Sequence, residues 1–175
     1  MFKISMLTLI LIFLALMSCL TLISHLYFRV CQHTLNGLDI HFLSAYLEKI
    51  DTLPAIIESL ENAGVNHEDL AQMRIFHRNA IIFSRSSTYL ILKQNEEVTR
   101  TLKILMRISL PYTTLQQSGA FIHAREIFTK NESYINHLKE EINIATEKYE
   151  FARKLQNMTT LGLFSFGEKR HMISR

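Results

Sequence analysis

The apolar positions of this chain fall into two regimes. From Ile4 to Ile23 they are nearly continuous, ISMLTLILIFLALMSCLTLI, uncharged throughout and relieved only by Ser5, Thr8, Ser18 and Thr21. Further along they recur at spacings of three and four, the period of a helix with one buried face. No stretch alternates with period two, and the chain has only two prolines and five glycines, so the reading is all-α.

The first regime predicts a membrane anchor. Twenty helical residues rise about 30 Å, the thickness of a bilayer's hydrocarbon core. A cleaved signal peptide competes, with Met1 to Lys3 as its charged start, but the apolar run exceeds the usual length of about 7–15 residues and no A-x-A site follows. A third reading takes Leu16, Met17, Ser18 and Cys19 as a lipoprotein cleavage box, against which the chain stays apolar beyond Cys19. Lys3 and Arg29 flank the run about evenly, so charge does not orient it.

The second regime predicts the body. Leu35, Leu38, Phe42 and Ala45 mark a helix running to about Ile50, weakened locally by Gly37. Asp51 and Thr52 are placed to cap a new helix in which Pro54 fits the first turn, and Leu53, Ile56, Ile57 and Leu60 supply its buried face. Gly64 interrupts. Asn66 with Glu68 and Asp69 then looks like a fresh helix start, continued by Leu70, Met73, Phe76, Ala80 and Phe83. Ser84 to Ser87 form the next predicted turn. Val98, Leu102, Leu105 and Ile108 mark a helix that must end near Pro111, because the residue before proline avoids helical dihedrals.

The longest signal comes last. Phe121, Ala124, Phe128, Asn131, Ile135, Leu138, Ile142, Ala145, Tyr149 and Ala152 alternate spacings of three and four, an a/d seam about 48 Å long. Lys130, Glu132, Lys139, Glu140, Glu147, Lys148 and Glu150 fall elsewhere and are read as a solvated face, with Asn131 as a polar register device within the seam. The expectation is an N-terminal transmembrane helix followed by an antiparallel bundle of about four helices. As domains this gives an anchor over 1–28, a bundle over 29–158 and a tail over 159–175.

Composition narrows the function. In 175 residues, 19 basic and 16 acidic side chains leave a charge of only +3, with the signs interspersed, which argues against a nucleic-acid partner. Cys19 and Cys31 supply no disulfide framework. Eight histidines invite a metal hypothesis, yet there is no H-E-x-x-H, and His137 with Glu141 or His123 with Glu126 offers two ligands where a site needs three or four. His67 and Glu68 are adjacent, so on a helix they do not face each other as an acid/base pair would, and a first-turn role fits better. No glycine-rich phosphate loop and no nucleophile elbow occurs. The expectation is a non-enzyme without cofactors, the alternative being a metal-binding or enzymatic bundle.

The ordered set of Asp51, Leu53, Pro54, Ile57, Glu58, Leu60, His67, Glu68, Arg78, Asn79 and Ala80 resembles the front signature of the bacterial LemA family. Ile142, Ala145, Tyr149, Asn157 and the ending Leu163, Phe164, Ser165, Phe166 resemble its rear. Thr146, Glu150 and Ser165 stand where the family has arginine, asparagine and glycine. The resemblance implies a single-pass protein of the bacterial inner membrane with a cytoplasmic bulk and an undefined molecular role. It marks Asp51, Pro54, Glu58, His67, Glu68, Tyr149, Asn157, Phe164 and Phe166 as signature or interaction candidates. The expected partners are the bilayer, through residues 4–23, and an unknown membrane protein.

The tail carries the one sharper alternative. Leu161, Leu163, Phe164 and Phe166 precede Lys169, Arg170 and Arg175, an apolar patch beside cations that suits an anionic membrane surface. The competing reading tucks the two phenylalanines into the end of the bundle.

Overall fold

The structure is a computed structural model that describes residues 6–65, 68–83 and 88–160. Among the described residues there is no strand. Six helices follow in order: α1 (Met6–Asp51), α2 (Leu53–Asn62), α3 (Glu68–Phe83), α4 (Thr88–Ser109), α5 (Thr113–Gln117) and α6 (Gly119–Thr159).

Two features of α1 bear on the expected anchor and the helix that follows it. The helix is continuous from Met6 to Asp51, and Gly37 passes within it without a break. One glycine's helix penalty of about 1 kcal/mol is small against the packing of the turns around it. The second feature is a change of surface. No residue from Met6 to Ile23 is buried, and Leu7, Phe13 and Leu16 expose 68, 62 and 64 % of their surface. Burial begins at Ser24 and continues through Phe28, Cys31 and Leu35, again at steps of four and three. Among the described residues this is the one helix long and apolar enough to cross a membrane.

The chain divides into two compact units, residues 1–38 with 141–175 and residues 39–140. In the first, the Phe28 and Tyr149 rings meet at 5.3 Å between centroids. Near the end of α6 the Ser24 and Thr159 hydroxyls are 2.9 Å apart, and Gln156 Nε2 lies 2.8 Å from His25 Nδ1. Arg153 pairs with Glu150 one turn away on the same helix.

In the second unit, α2 contacts α3 and α3 contacts α4. The buried face of α2 is Leu53, Ile56, Ile57 and Leu60, the four residues its periodicity selects, with Pro54 in the first turn. The expected cap at its start is not made. Thr52 takes helical dihedrals, and its hydroxyl donates back to the Lys49 carbonyl at 2.7 Å instead of capping forward. The other end is closed as a glycine cap should be. Gly64 adopts φ +82°, its N–H donates to Glu61 O at 2.9 Å, and the Val65 N–H donates to Leu60 O at 3.0 Å. This is the Schellman pattern, with Val65 and Leu60 both buried beside it.

Of the α3 positions, Leu70, Met73 and Phe76 are buried as expected; the helix start at Asn66 and the turn at 84–87 lie outside the described residues, as do the side chains of Ala80 and Phe83. Val98, Leu102 and Leu105 are buried in α4, but Ile108 is only half-buried and Ser109, at 2 % exposure, takes its place. That helix ends two residues before Pro111. The short α5 has no counterpart in the periodicity. In α6 all ten predicted seam residues are buried, and the seam runs on through Gln156 and Thr159.

A methyl group added at Gly64 would meet nothing within 4 Å, so its substitution is opposed by backbone conformation alone. Gly64→Ala should therefore lower stability by about 1 kcal/mol and Gly64→Asn by less. Gly37, equally open, lies inside a helix, and Gly37→Ala should raise stability by about 0.5–1 kcal/mol. Urea midpoints of the detergent-solubilised chain check both signs.

Candidate functional site

The seam of α1 steps from Leu35 and Leu38 through Phe42 and Ala45, and four residues on it arrives at a lysine. Lys49 is fully buried. Its aliphatic stem occupies a core position, and its ammonium needs acceptors for three N–H bonds, each costly to leave unmade away from water. All three are found. Nζ donates to Asn95 Oδ1 at 2.6 Å, to Thr99 Oγ1 at 2.6 Å and to Glu132 Oε2, with which it also forms an ion pair. The Thr99 hydroxyl in turn donates a hydrogen bond to Glu132 Oε2 at 2.9 Å, closing a triangle. Phe128 presents its ring face 4.4 Å from Nζ, a cation–π contact. One turn earlier on α1, the buried Tyr46 hydroxyl donates to Gln94 Oε1 at 2.9 Å.

These contacts correct one expectation. Glu132 does not belong to a solvated face: only 21 % of its side chain is exposed, and the carboxylate is turned onto Lys49 and Thr99. It sits next to Asn131 in sequence, on the flank of the seam, where a long side chain can reach inward. Lys139, assigned to the same face, bridges to Glu96 at 2.8 Å.

Burial shifts the charges. Loss of water lowers Lys49 to about 8, against the opposing hydrogen bond and charge of Glu132, while Lys103 and Lys139 lower it further. For Glu132, burial acts upward, but the hydrogen bond and charge of Lys49, the Thr99 hydroxyl and the Lys103 charge outweigh it, and the carboxyl ends below its ordinary value. Tyr46 is raised by burial. At neutral pH the cluster is therefore a charged pair with its polar atoms committed to one another. An ammonium with three acceptors and no open side has no lone pair to attack with, so the cluster's evident role is to join α1, α4 and α6.

The candidates from sequence lie elsewhere. Asp51, Pro54, Glu58 and Glu68 are exposed, and Glu58 lines a depression of about 370 Å³ together with Ala55, Ser59, Asn62, Thr114 and Ser118. Tyr149 is buried against Phe28. Asn157 is half-buried, and its Oδ1 makes no hydrogen bond among the described residues. His67, Phe164 and Phe166 lie outside the described residues. The structure brings none of the described candidates together as a constellation, and among the described residues no three of His, Cys, Asp and Glu converge as metal ligands.

Apolar periodicity alone does not mark the cluster, because a lysine occupies the seam position at 49. Two steps could have found it: Leu35, Leu38, Phe42 and Ala45 lead to 49, and Val98, Leu102 and Leu105 lead back to Asn95. No family model, curated relative or solved structure matches the chain.

Breaking the pair from its two sides should not be equivalent. Glu132→Leu strands a fully buried ammonium and should destabilise by about 3–5 kcal/mol. Lys49→Met leaves a carboxylate that still reaches water and Thr99, and should lose less, about 2–3 kcal/mol. The double variant should recover most of either loss, because an apolar pair of similar volume suits a helical seam. Denaturant midpoints of the solubilised chain decide this; strict additivity would contradict a coupled pair.

The pH dependence follows from the same group. Because Lys49 binds its proton less tightly folded than unfolded, the penalty on its charged form is present at low pH and relieved as pH rises through about 8 towards its unfolded value. Stability should rise by about 1–2 kcal/mol between about pH 7 and pH 9.5, before the raised Tyr46 acts in the opposite sense above its ordinary value. Glu132 contributes stability above its ordinary value that is lost as pH falls through its lower folded one. Lys49→Met should flatten the alkaline rise.

Proposed function

We propose that this chain is a single-pass, membrane-anchored scaffold or interaction module without catalytic activity, its body an antiparallel helical bundle carried on the spanning helix. The carrying observation is the change of surface along α1: an apolar run from Met6 to Ile23 with no residue buried, then within the same helix a buried seam from Ser24 onward. A surface that apolar finds no cover among the described residues, and a lipid environment accounts for it. The antiparallel sense is supported by pairings whose numbers rise on α1 as they fall on α6, Ser24 with Thr159 and Phe28 with Tyr149.

The LemA-like order of motifs agrees with this reading and supplies its compartment: a bacterial inner membrane, with the bulk of the chain cytoplasmic. A scaffold acts through exposed side chains. Lys93, Glu97, Arg100, Ile104 and Arg107 form such a stripe on α4, spaced by four and three and all exposed.

Two measurements test the proposal. With Cys19 and Cys31 replaced, Glu140→Cys should resist a membrane-impermeant thiol reagent in intact cells and react once they are opened; labelling in intact cells would reverse the orientation. A tagged full chain crosslinked in membranes should retain a defined protein partner that Arg100→Glu with Ile104→Asp releases. Recovery of the chain alone at every crosslinker concentration would contradict the scaffold role.

A further inference from the structure

The spanning reading has a consequence for α6. Ser24 and His25 immediately follow the last residue of the uncovered run, and they hold Thr159 and Gln156 by side-chain hydrogen bonds. The C-terminal end of α6 is thereby fixed at the level where α1 leaves the hydrocarbon. That end is not dressed for water. Met158 is 74 % and Phe151 61 % exposed, Leu155 is half-buried between them, and Lys154 and, on α1, Arg29 are exposed cations.

Heights along the helix decide what covers this patch. The polar zone of a bilayer adds roughly 5–8 Å on each side of the hydrocarbon. Counting from Thr159 at 1.5 Å per residue, Met158 stands about 1.5 Å, Leu155 about 6 Å and Lys154 about 7.5 Å beyond the apolar boundary. Phe151 stands about 12 Å out, beyond the polar zone, and Ile144, also 54 % exposed, about 22 Å out in water. The exposed apolar groups nearest the span thus fall where side chains with an apolar body are stabilised beside headgroups, and the cations fall where anionic headgroups attract them.

We propose that the last two turns of α6 form an interfacial foot, in which Met158 and Leu155 insert at the headgroup level of the bilayer that α1 spans and Lys154 pairs with anionic headgroups. The foot rests on the spanning reading of α1, and it makes the bundle's attachment two-legged, so that a single spanning helix does not leave the body free to swing.

Single cysteines at Leu14, Met158 and Ile144, in a full chain carrying Cys19→Ala and Cys31→Ala, are labelled with an environment-sensitive fluorophore. The labelled chains are reconstituted into phosphatidylcholine vesicles containing phosphatidylglycerol. Nitroxide-bearing lipids then quench from the headgroup level or from deep in the acyl chains, and far-UV circular dichroism confirms that each variant stays helical. The expected pattern is deep quenching at Leu14, headgroup-level quenching at Met158 and neither at Ile144. Quenching at Leu14 with Met158 behaving like Ile144 overturns the foot while the span stands. Absence of quenching at Leu14 overturns the span, and the foot with it. A Met158 probe shielded from aqueous iodide but untouched by either lipid identifies a protein surface, such as a second copy, as the occupant and overturns the foot. Equal quenching at Ile144 and Met158 shows unspecific adsorption of the whole helix and overturns it as well.

Discussion

An ammonium group carried out of water has three N–H bonds to satisfy, and in this protein they choose the alignment of three helices. Apolar seams of period seven are nearly indifferent to a slide of one heptad, since leucine follows leucine. Lys49 is not indifferent. It needs Asn95, Thr99 and Glu132 at one setting. Sliding α6 by seven residues either way would bring Arg125 or Lys139 to the place of Glu132, setting a second cation against a buried one. Sliding α4 by seven would replace Asn95 by Thr88 or Leu102 and Thr99 by Leu92 or Met106, removing acceptors in most cases. A buried pair of this kind adds little net stability over a well-packed apolar one, so its value lies in excluding the alternatives.

That distinction explains which parts of the fold were legible in the residues. Burial follows apolar spacing along most of the chain: ten of ten positions in α6, the four of α2, and Val98, Leu102 and Leu105 of α4, though not its Ile108. Gly64 was legible as an interruption because only a residue without a Cβ takes φ +82° without strain. Asp51 and Thr52 misled in their capping role, since a threonine hydroxyl that can reach the carbonyl three residues back need not reach forward. Gly37 was read only as a local weakness, and α1 runs through it unbroken because a propensity penalty of about 1 kcal/mol does not stop a helix whose flanks are held by tertiary contacts.

The polar cluster was hidden for a different reason. Treating charge as a sign of exposure is sound for most lysines and glutamates. It fails when a charged residue falls in register with a seam, as Lys49 does, or on its flank with a long enough stem, as Glu132 does. Of the signature candidates, those described are dispersed, and the residues that form the tightest polar arrangement were not among them. The heptad itself connects Ala45 to Lys49 and Val98 to Asn95, so both polar residues stand in line with apolar seams.

The pairing of α1 with α6 changes character along its length, and the direction of that change follows from the solvent. Away from the apolar run the contact is between the buried Phe28 and Tyr149 rings, held by the hydrophobic effect. Next to the run the contacts become Ser24 with Thr159, and the half-buried His25 with Gln156, joined by side-chain hydrogen bonds. Apolar seams bind helices only where water is the alternative; beside lipid tails, leucine gains nothing by leaving one hydrocarbon for another. Polar and small residues that bond across the helix pair keep their advantage there. On the proposed span the pair begins in water and ends at a bilayer, and it needs an apolar seam at one end and a hydrogen-bonded one at the other; the boundary between them in α1 coincides with the first buried residue after the uncovered run.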